Sequence, residues 1–187
     1  MLADTASLFT ITGLTNGTSY TIKLRAVNAV GAGTESIASV LVKPVDCLTE
    51  NTLVLTPSGY VKVSLLKEGD YVLTDDNRRV PIIKYSRFMT ENNNPYIIEK
   101  NSIGPNYPPE DISISGGHLI KYNNKWLLPS DMKNTKRDNS QAIVKYYHIA
   151  LENYITDNLV INGGCVVESY GQRLTKNNNE WIRRKNN

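Results

Sequence analysis

The sequence has few of the side chains from which metal sites and disulfide scaffolds are built. Two cysteines and two histidines among 187 residues cannot supply the doubled ligand pairs of a structural zinc site. Two cysteines also allow one disulfide at most, which excludes a disulfide-rich fold. We therefore expect neither a bound metal nor a cofactor.

Long apolar runs and a strong charge imbalance are also missing. No run approaches the length that a membrane-spanning helix needs, so we expect no membrane span. Met1 to Ser7 lack the basic start and apolar stretch of a signal peptide, and the sequence leaves the compartment open. The net charge of +3 is too small and too scattered to indicate a nucleic-acid partner.

The residues that are abundant favour β-structure. Tyr occurs 11 times against 2 Phe, and Val, Ile and Thr recur in short runs. Turn residues separate these runs, as at Asn16-Gly17, Pro57-Ser58-Gly59, Gly116-Gly117 and Asn162-Gly163-Gly164. Short β-rich runs between turn signals predict an all-β protein with little helix.

The first part of the chain, residues 1–43, contains three predicted strands. They are Leu8 to Ile11, Ser19 to Val27 and Ile37 to Val42. Leu14 and Tyr20 have the spacing of a tyrosine corner, and with the hairpin from Asn28 to Glu35 they resemble the second half of a fibronectin type III domain. The resemblance implies a partial β-sandwich whose residues have a packing role and no chemical role. We expect the chain to derive from a longer product or a truncated gene.

A short linker, residues 44–46, leads to a second domain at 47–171 and a polar tail at 172–187, of which we expect Asn177 to Asn187 to be frayed. The segment 92–109 is predicted to be loop, and Pro81 predicts that its strand lies at a sheet edge. The strands predicted in this domain are Asn51 to Thr56, Tyr60 to Val63, Tyr71 to Thr74, Val80 to Phe88, Ile112 to Ser115, Leu119 to Tyr122, Trp126 to Leu128, Tyr146 to Leu151, Asn158 to Ile161 and Cys165 to Ser169.

Three residues stand out as candidates for chemistry or packing. Cys47 follows the linker and has polar neighbours, whereas Cys165 lies in an apolar run. We therefore predict that Cys47 is a nucleophile and that Cys165 packs in the core. His118 follows two glycines, and a His can donate a proton to a leaving amide nitrogen or accept one from a thiol. The alternative for His118 is a surface-turn residue without a chemical role.

Four short blocks of the second domain follow one another along the chain. They are Cys47 to Asp76, Ser115-x-x-His118, Tyr147 to Leu151 and Gly164 to Tyr170. Each block by itself is a short pattern, but the ordered set, from Cys47 to about Tyr170, resembles the Hint family, the fold of inteins and of the autoprocessing domain of hedgehog proteins. The resemblance implies a Hint-type β-fold.

In that family the first-block Cys attacks the carbonyl carbon of the residue before it, and this N-to-S acyl shift forms a thioester. The resemblance implies that the scissile bond joins Asp46 and Cys47. His118 would protonate the departing nitrogen, and Ser115, where Thr is usual, would hold the amide by a hydrogen bond. The Asp46 carboxylate could attack its own activated carbonyl, but we favour Asp46 as a polar linker residue.

The later blocks depart from those of inteins. Inteins usually carry Asp where His148 stands, and they end in His-Asn where this chain has Glu168-Ser169. Ser169 has no carboxamide, so the Asn cyclisation that completes splicing is unavailable. In hedgehog proteins a Cys falls near Ser169 and is followed by Tyr, which fits Tyr170. His148 and Ser169 join Cys47, Ser115 and His118 as candidate catalytic residues.

The sequence therefore predicts an all-β chain, in which a Hint-type (hedgehog/intein) β-fold follows a partial fibronectin type III β-sandwich. Its predicted activity is single-turnover, cysteine-dependent cleavage of its own chain. Water, an amine or a thiol would then release or ligate the upstream part, which could also bind a protein partner. The alternatives are a decayed Hint domain that serves as scaffold for an adhesion or binding module, and a cysteine hydrolase acting in trans, which no Gly-rich oxyanion motif supports.

Overall fold

The computed structural model describes residues 20–38, 46–90, 93–132, 134–153 and 155–169, and the backbone of 173–177 and 180–184. The chain divides into two compact units, Met1–Pro44 and Val45–Asn187. The boundary between the units falls inside the predicted linker.

In the first unit the described residues contain one short β-hairpin. Strands β1 (Val27–Asn28) and β2 (Gly31–Ala32) pair antiparallel, and Ser36 N donates to Leu24 O (2.7 Å) further along the hairpin. The predicted turn is present, but the predicted strand is wrong over 21–26, where the backbone forms no regular strand. Leu24 is 59% exposed, so this apolar side of the segment has little to pack against among the described residues.

The other features predicted for the first part lie outside the described residues. They are the strand from Leu8 to Ile11, Leu14 of the tyrosine corner and the end of the strand that begins at Ile37. The fibronectin type III resemblance therefore stays a prediction.

The second unit is built from antiparallel β-strands. Its strands are β3 (Leu48–Thr49), β4 (Leu53–Thr56), β5 (Gly59–Lys62), β6 (Tyr71–Leu73), β7 (Arg79–Thr90), β8 (Tyr96–Ile98), β9 (Ile112–Ile114), β10 (Ile120–Tyr122), β11 (Lys125–Leu127), β12 (Thr135–Arg137), β13 (Val144–Leu151), β14 (Leu159–Ile161), β15 (Cys165–Val167), β16 (Arg173–Asn177) and β17 (Glu180–Arg184). The helices of the described residues are the 3-10 turns Val63–Leu65 and Pro129–Asp131, and neither is long and apolar enough to cross a membrane. The all-β prediction is confirmed.

Two sheets share the main hydrophobic core. Among the described residues the strand order is β11-β10-β15-β14-β4-β5 in one sheet and β12-β8-β9-β3-β13-β7-β6 in the other. Mostly Ile, Leu and Val side chains from both sheets fill the space between them, including Val54, Ile120, Ile161 and Val167 from the first and Leu48, Ile82, Ile98, Ile114 and Ile149 from the second. Each such side chain contributes about 1.5–3 kcal/mol on full burial.

Strand β13 separates this core from a smaller cluster on its other face. Tyr147 and Ile149 pack in the main core, whereas Tyr146 joins Cys47 in the smaller cluster. Because side chains alternate along a strand, His148 lies on the same face as Tyr146. Burial on both faces explains why β13 is almost continuously apolar or aromatic in sequence.

Three elements differ from the predictions. Strand β8 lies in the segment 92–109, which was predicted to be loop, because this short strand lies among polar and turn residues. The end of the tail was predicted to be frayed, but strand β17 in that segment pairs with β16 as a hairpin. Strand β7 is interior rather than at an edge, and pairing with β13 ends at Ile82, so Pro81 is paired only on the side of Tyr71.

Candidate active site

The register of the second sheet places Cys47 between Ser115 and His148. Strand β3 lies between β9 and β13, and its Leu48 is paired with a residue of each neighbour. Continuing both antiparallel registers by one residue puts Ser115 and His148 opposite Cys47. Three blocks that are far apart in sequence therefore meet at one point of the sheet.

Cys47 is held on both sides of this register. Its backbone N–H donates to Ser115 Oγ (2.8 Å), and its carbonyl oxygen accepts from the Ser115 N–H (3.1 Å). On the other side its Sγ lies 3.4 Å from His148 Nε2. Cys47 and Ser115 are fully buried and His148 is 7% exposed. The thiol and the imidazole thus meet in a sheltered site, where polar interactions are stronger than in water.

The His148 ring stacks on Phe88 of β7. The ring centroids lie 5.2 Å apart with an interplanar angle of 26°, and Phe88 also packs against Tyr146. Burial raises the pKa of Tyr146 above its ordinary value and the neighbouring Cys47 adds to the shift, so the hydroxyl stays protonated and donates to Asn93 O (2.8 Å). Sequence reasoning missed Phe88, because an aromatic residue in a β-strand carries no signal of a contact with a catalytic side chain.

The turn after β9 brings His118 towards the site. The His118 N–H donates to Ser115 O (3.2 Å) and closes a turn over Gly116 and Gly117. A Cβ atom on Gly116 would lie 2.6 Å from Cε2 of Tyr96, so a larger residue would collide with this ring. Gly116, two residues before His118, therefore permits this close approach of the backbone to Tyr96.

The fourth block holds the His118 ring. His118 Nε2 lies 2.9 Å from the backbone oxygen of Glu168, and a carbonyl oxygen can only accept, so Nε2 carries a proton. Nδ1 is then the nitrogen that gains or loses a proton. The Glu168 carboxylate accepts a hydrogen bond from the Leu119 N–H (2.9 Å). Ser169, the next residue, is also buried. His118 is 3% exposed, so the alternative prediction, a His in a surface turn, is wrong.

Asp46 is not the exposed polar side chain that its linker position suggested. It is 2% exposed and directly precedes Cys47. It lies two residues before β3, an interior strand flanked by β9 and β13. Sequence reasoning missed this burial, since Asp is mostly exposed in proteins.

Cys165 has the surroundings of a packing residue, as predicted. It is fully buried in the main core, and burial raises the pKa of its thiol to about 11, so the thiol stays protonated near neutral pH. A protonated thiol is a poor nucleophile. Within the described part of the chain, no group of three or more His, Cys, Asp and Glu side chains could hold a metal ion.

Comparison with known proteins agrees with this geometry. A family model described as the Hint domain matches residues 46–173, which is more than half of the chain and includes the whole site. The chain belongs to the Hint domain family. The solution structure of a bacterial intein-like domain from Clostridium thermocellum superposes on this Hint domain chain with a TM-score of 0.53 and 13% identity, covering 67% of this chain and 99% of that chain.

A second solved structure has the same fold. The crystal structure of a variant of the MchDnaB-1 intein has a TM-score of 0.51 and 15% identity, covering 66% of this chain and 99% of that chain. At these identities the likeness shows the fold alone. No curated protein sequence matches the chain.

Proposed function

We propose that this Hint domain cleaves its own chain before Cys47 through an N-to-S acyl shift. One observation supports the proposal most directly. The amide nitrogen of the Asp46–Cys47 bond donates to Ser115 Oγ, while the thiol of the same residue contacts His148. The nucleophile and the leaving nitrogen therefore each have a polar partner, and both partners are buried.

The attack on the peptide bond begins at His148. The Cys47 Sγ attacks the carbonyl carbon of Asp46, and His148 Nε2, 3.4 Å from Sγ, takes the thiol proton. The stacking contact with Phe88 keeps the imidazole ring beside the sulfur. An imidazole suits this step because its neutral form accepts a proton and its charged form returns it.

The departure of the nitrogen involves the second block. As the C–N bond breaks, the nitrogen becomes an amine and needs a proton, which we assign to Nδ1 of His118. Ser115 Oγ orients the breaking bond through its contact with the Cys47 N–H. The products are a thioester between Asp46 and Cys47 Sγ and a free amine on Cys47, so the step gains and loses no atoms.

The proposal includes a single cut. Water, an amine or a thiol resolves the thioester and releases or ligates the part of the chain that ends at Asp46. Splicing would need a second cleavage through an Asn side chain, and Ser169 offers no carboxamide at the matching position. Each molecule reacts once, since the substrate is its own peptide bond.

Hydroxylamine at neutral pH tests the thioester, because it cleaves thioesters and leaves ordinary amides intact. Intact-mass spectrometry of the full chain should show fragments 1–46, as a hydroxamate, and 47–187. The Cys47→Ala variant should give neither fragment. The matched variant Cys165→Ala, which removes the other thiol, should cleave at the rate of the unaltered chain.

The masses separate this proposal from its alternative. Cleavage before residue 47 in the Cys47→Ala variant would contradict the thioester. An unaltered chain that stays whole would instead favour a decayed Hint domain that acts as a scaffold. Hydroxylamine also acts slowly on Asn-Gly bonds, such as those after Asn16 and Asn162, but these fragments have other masses.

A further inference from the structure

A buried thioester raises the question of what can reach it. Cys47 is fully buried and Asp46 is 2% exposed, so both residues of the scissile bond are largely closed to solvent. An external amine or thiol reaches this interior position of the sheet only slowly, so only a small nucleophile supplied at high concentration, such as hydroxylamine, competes there. A nucleophile that belongs to the scissile bond itself faces no such barrier.

We propose that the Asp46 carboxylate resolves the thioester by attacking its own backbone carbonyl carbon, a step that rests on the proposed function. A side-chain oxygen of Asp46 bonds to that carbon, and the bond from the carbon to Cys47 Sγ breaks. The thiolate leaves and regains a proton from His148. The upstream part then ends in a cyclic anhydride of Asp46, and Cys47 is free.

The ring that forms explains why Asp is suited to this position. It contains the backbone carbonyl carbon, Cα, Cβ, Cγ and one carboxylate oxygen, so it is five-membered and forms within a single residue. Well-oriented intramolecular nucleophiles reach effective concentrations of about 10⁵–10⁸ M. Removal of the carboxylate from water, at 2% exposure, replaces its hydration shell with fixed protein groups.

The last step of the reaction is hydrolysis of the anhydride by water, after the bond to Cys47 has broken. Hydrolysis of the anhydride adds one water molecule and returns two carboxyl groups on Asp46. The net products are those of simple hydrolysis, a chain that ends at Asp46 and one that begins at Cys47. The acceptor is therefore water, and it acts on an anhydride rather than on the buried thioester.

Isomer analysis of the hydroxylamine product distinguishes the two routes in the unaltered chain. The thioester can yield only the α-hydroxamate of Asp46, because its side-chain carboxyl is not activated. The anhydride is open to attack at either carbonyl and also yields the β-hydroxamate. Digestion followed by chromatography against synthetic peptides that end in each isomer measures the ratio. The Cys47→Ala variant controls for an imide formed by the residue 47 nitrogen and should yield no β-isomer.

Two variants of Asp46 separate thioester formation from its resolution. In Asp46→Ala, cleavage by hydroxylamine should persist, whereas spontaneous cleavage should fall by about 10²-fold or more, since the internal nucleophile is lost. Asp46→Glu retains the charge but would need a six-membered ring, so its spontaneous rate should lie between those of Ala and Asp. Asn is avoided, because its amide nitrogen could itself cyclise.

The outcomes keep the two proposals apart. A product with the α-isomer alone, together with an unchanged spontaneous rate in Asp46→Ala, would overturn the anhydride and leave the thioester standing. An unaltered chain that hydroxylamine does not cleave would overturn both. If Asp46→Ala fails to form a thioester, the isomer ratio from the unaltered chain decides the question.

Discussion

The two histidines of the site differ in what holds them. His148 stacks on Phe88 and touches the Cys47 sulfur, whereas His118 donates through Nε2 to the Glu168 carbonyl and is left with Nδ1 for proton transfer. The geometry thus supports different tasks for them, a base for the thiol and an acid for the leaving nitrogen.

At His118 we expect that replacement by Ala slows thioester formation by roughly 10²–10⁴-fold, the usual contribution of a positioned acid or base. The reason is that the departing nitrogen loses its proton donor. Hydroxylamine-dependent cleavage, followed by intact mass over time, measures the rate. His118→Gln is the control, since its amide can donate to the Glu168 carbonyl without titrating. A full rate in the Gln variant would reduce His118 to a positioning residue.

At His148 we expect that replacement by Ala also slows cleavage by roughly 10²-fold or more, because the thiol loses the group that accepts its proton. The variant leaves a space beside Phe88 that imidazole can occupy. Added imidazole should therefore restore part of the rate in His148→Ala and have no effect on the unaltered chain. Equal rates for the variant and the unaltered chain would show that Cys47 needs no base at this position.

Among the structural elements, the turn between β9 and β10 determines the positions of two site residues. It joins Ser115, which accepts a hydrogen bond from the Cys47 N–H, to His118, which contacts the backbone oxygen of Glu168 in the fourth block. Its path under Tyr96 leaves room only for a hydrogen atom at Gly116. A shift of the turn would therefore move both side chains at once.

The variant Gly116→Ala tests this coupling. A methyl group 2.6 Å from the Tyr96 ring must displace the turn or the ring, and a misplacement near 1 Å costs about 10²-fold in rate. We expect that loss in hydroxylamine-dependent cleavage. Gly33→Ala is the matched control, because its methyl group would lie at an ordinary 3.5 Å from Ala26 O. A loss of the same size in both variants would point to a general effect of the substitution.

The elements also show where sequence patterns succeed. Strand β13 was predicted from its apolar run and is present, and the hairpin of β4 and β5 follows its Pro-Ser-Gly turn. Strands β8 and β12 pair with each other and were not predicted. Both are three residues long and, unlike the short strands that were predicted, they lie in segments rich in polar and turn residues. Their existence depends on neighbours in the sheet.

On the scale of the whole molecule, the end of the Hint domain is bound to its middle. Glu168 accepts from Leu119 through its carboxylate and from His118 through its backbone oxygen. Glu168 and Ser169 are both buried at this junction. The two residues that resemble the end of an intein are therefore packed against His118 of the proposed site.

We expect one cleavage per chain, with residues 47–187 remaining a single piece. Ser169 has no amide nitrogen to attack its own carbonyl. The variant Ser169→Asn should show little cleavage there either, because Glu168 stands where an intein has its last-block His and its Oε1 is already engaged by the Leu119 N–H. Intact mass after incubation tests both. A thermal melt of Ser169→Asn controls for unfolding, and a fragment that begins at Tyr170 from the unaltered chain would refute this account.

Local patterns in the sequence predicted the β-rich class of the chain and singled out Cys47 and His118, and the resemblance to the Hint family added Ser115 and His148 as candidates. These features follow from turn residues, from alternation and from the order of short blocks. Residue type and position were enough to suggest that these side chains act together. The distances between them depend on the complete sheet.

Only the tertiary structure decided which side chains meet. His148 and Cys47 are 101 residues apart, and Ser115 and Cys47 are 68 apart, so their contacts depend on two sheet registers. Asp46, two residues before the interior strand β3, is 2% exposed, and its polarity gave no sign of that burial because Asp is mostly exposed in proteins. Strand register and side-chain burial are properties of the folded chain, which is why no local sequence pattern revealed them.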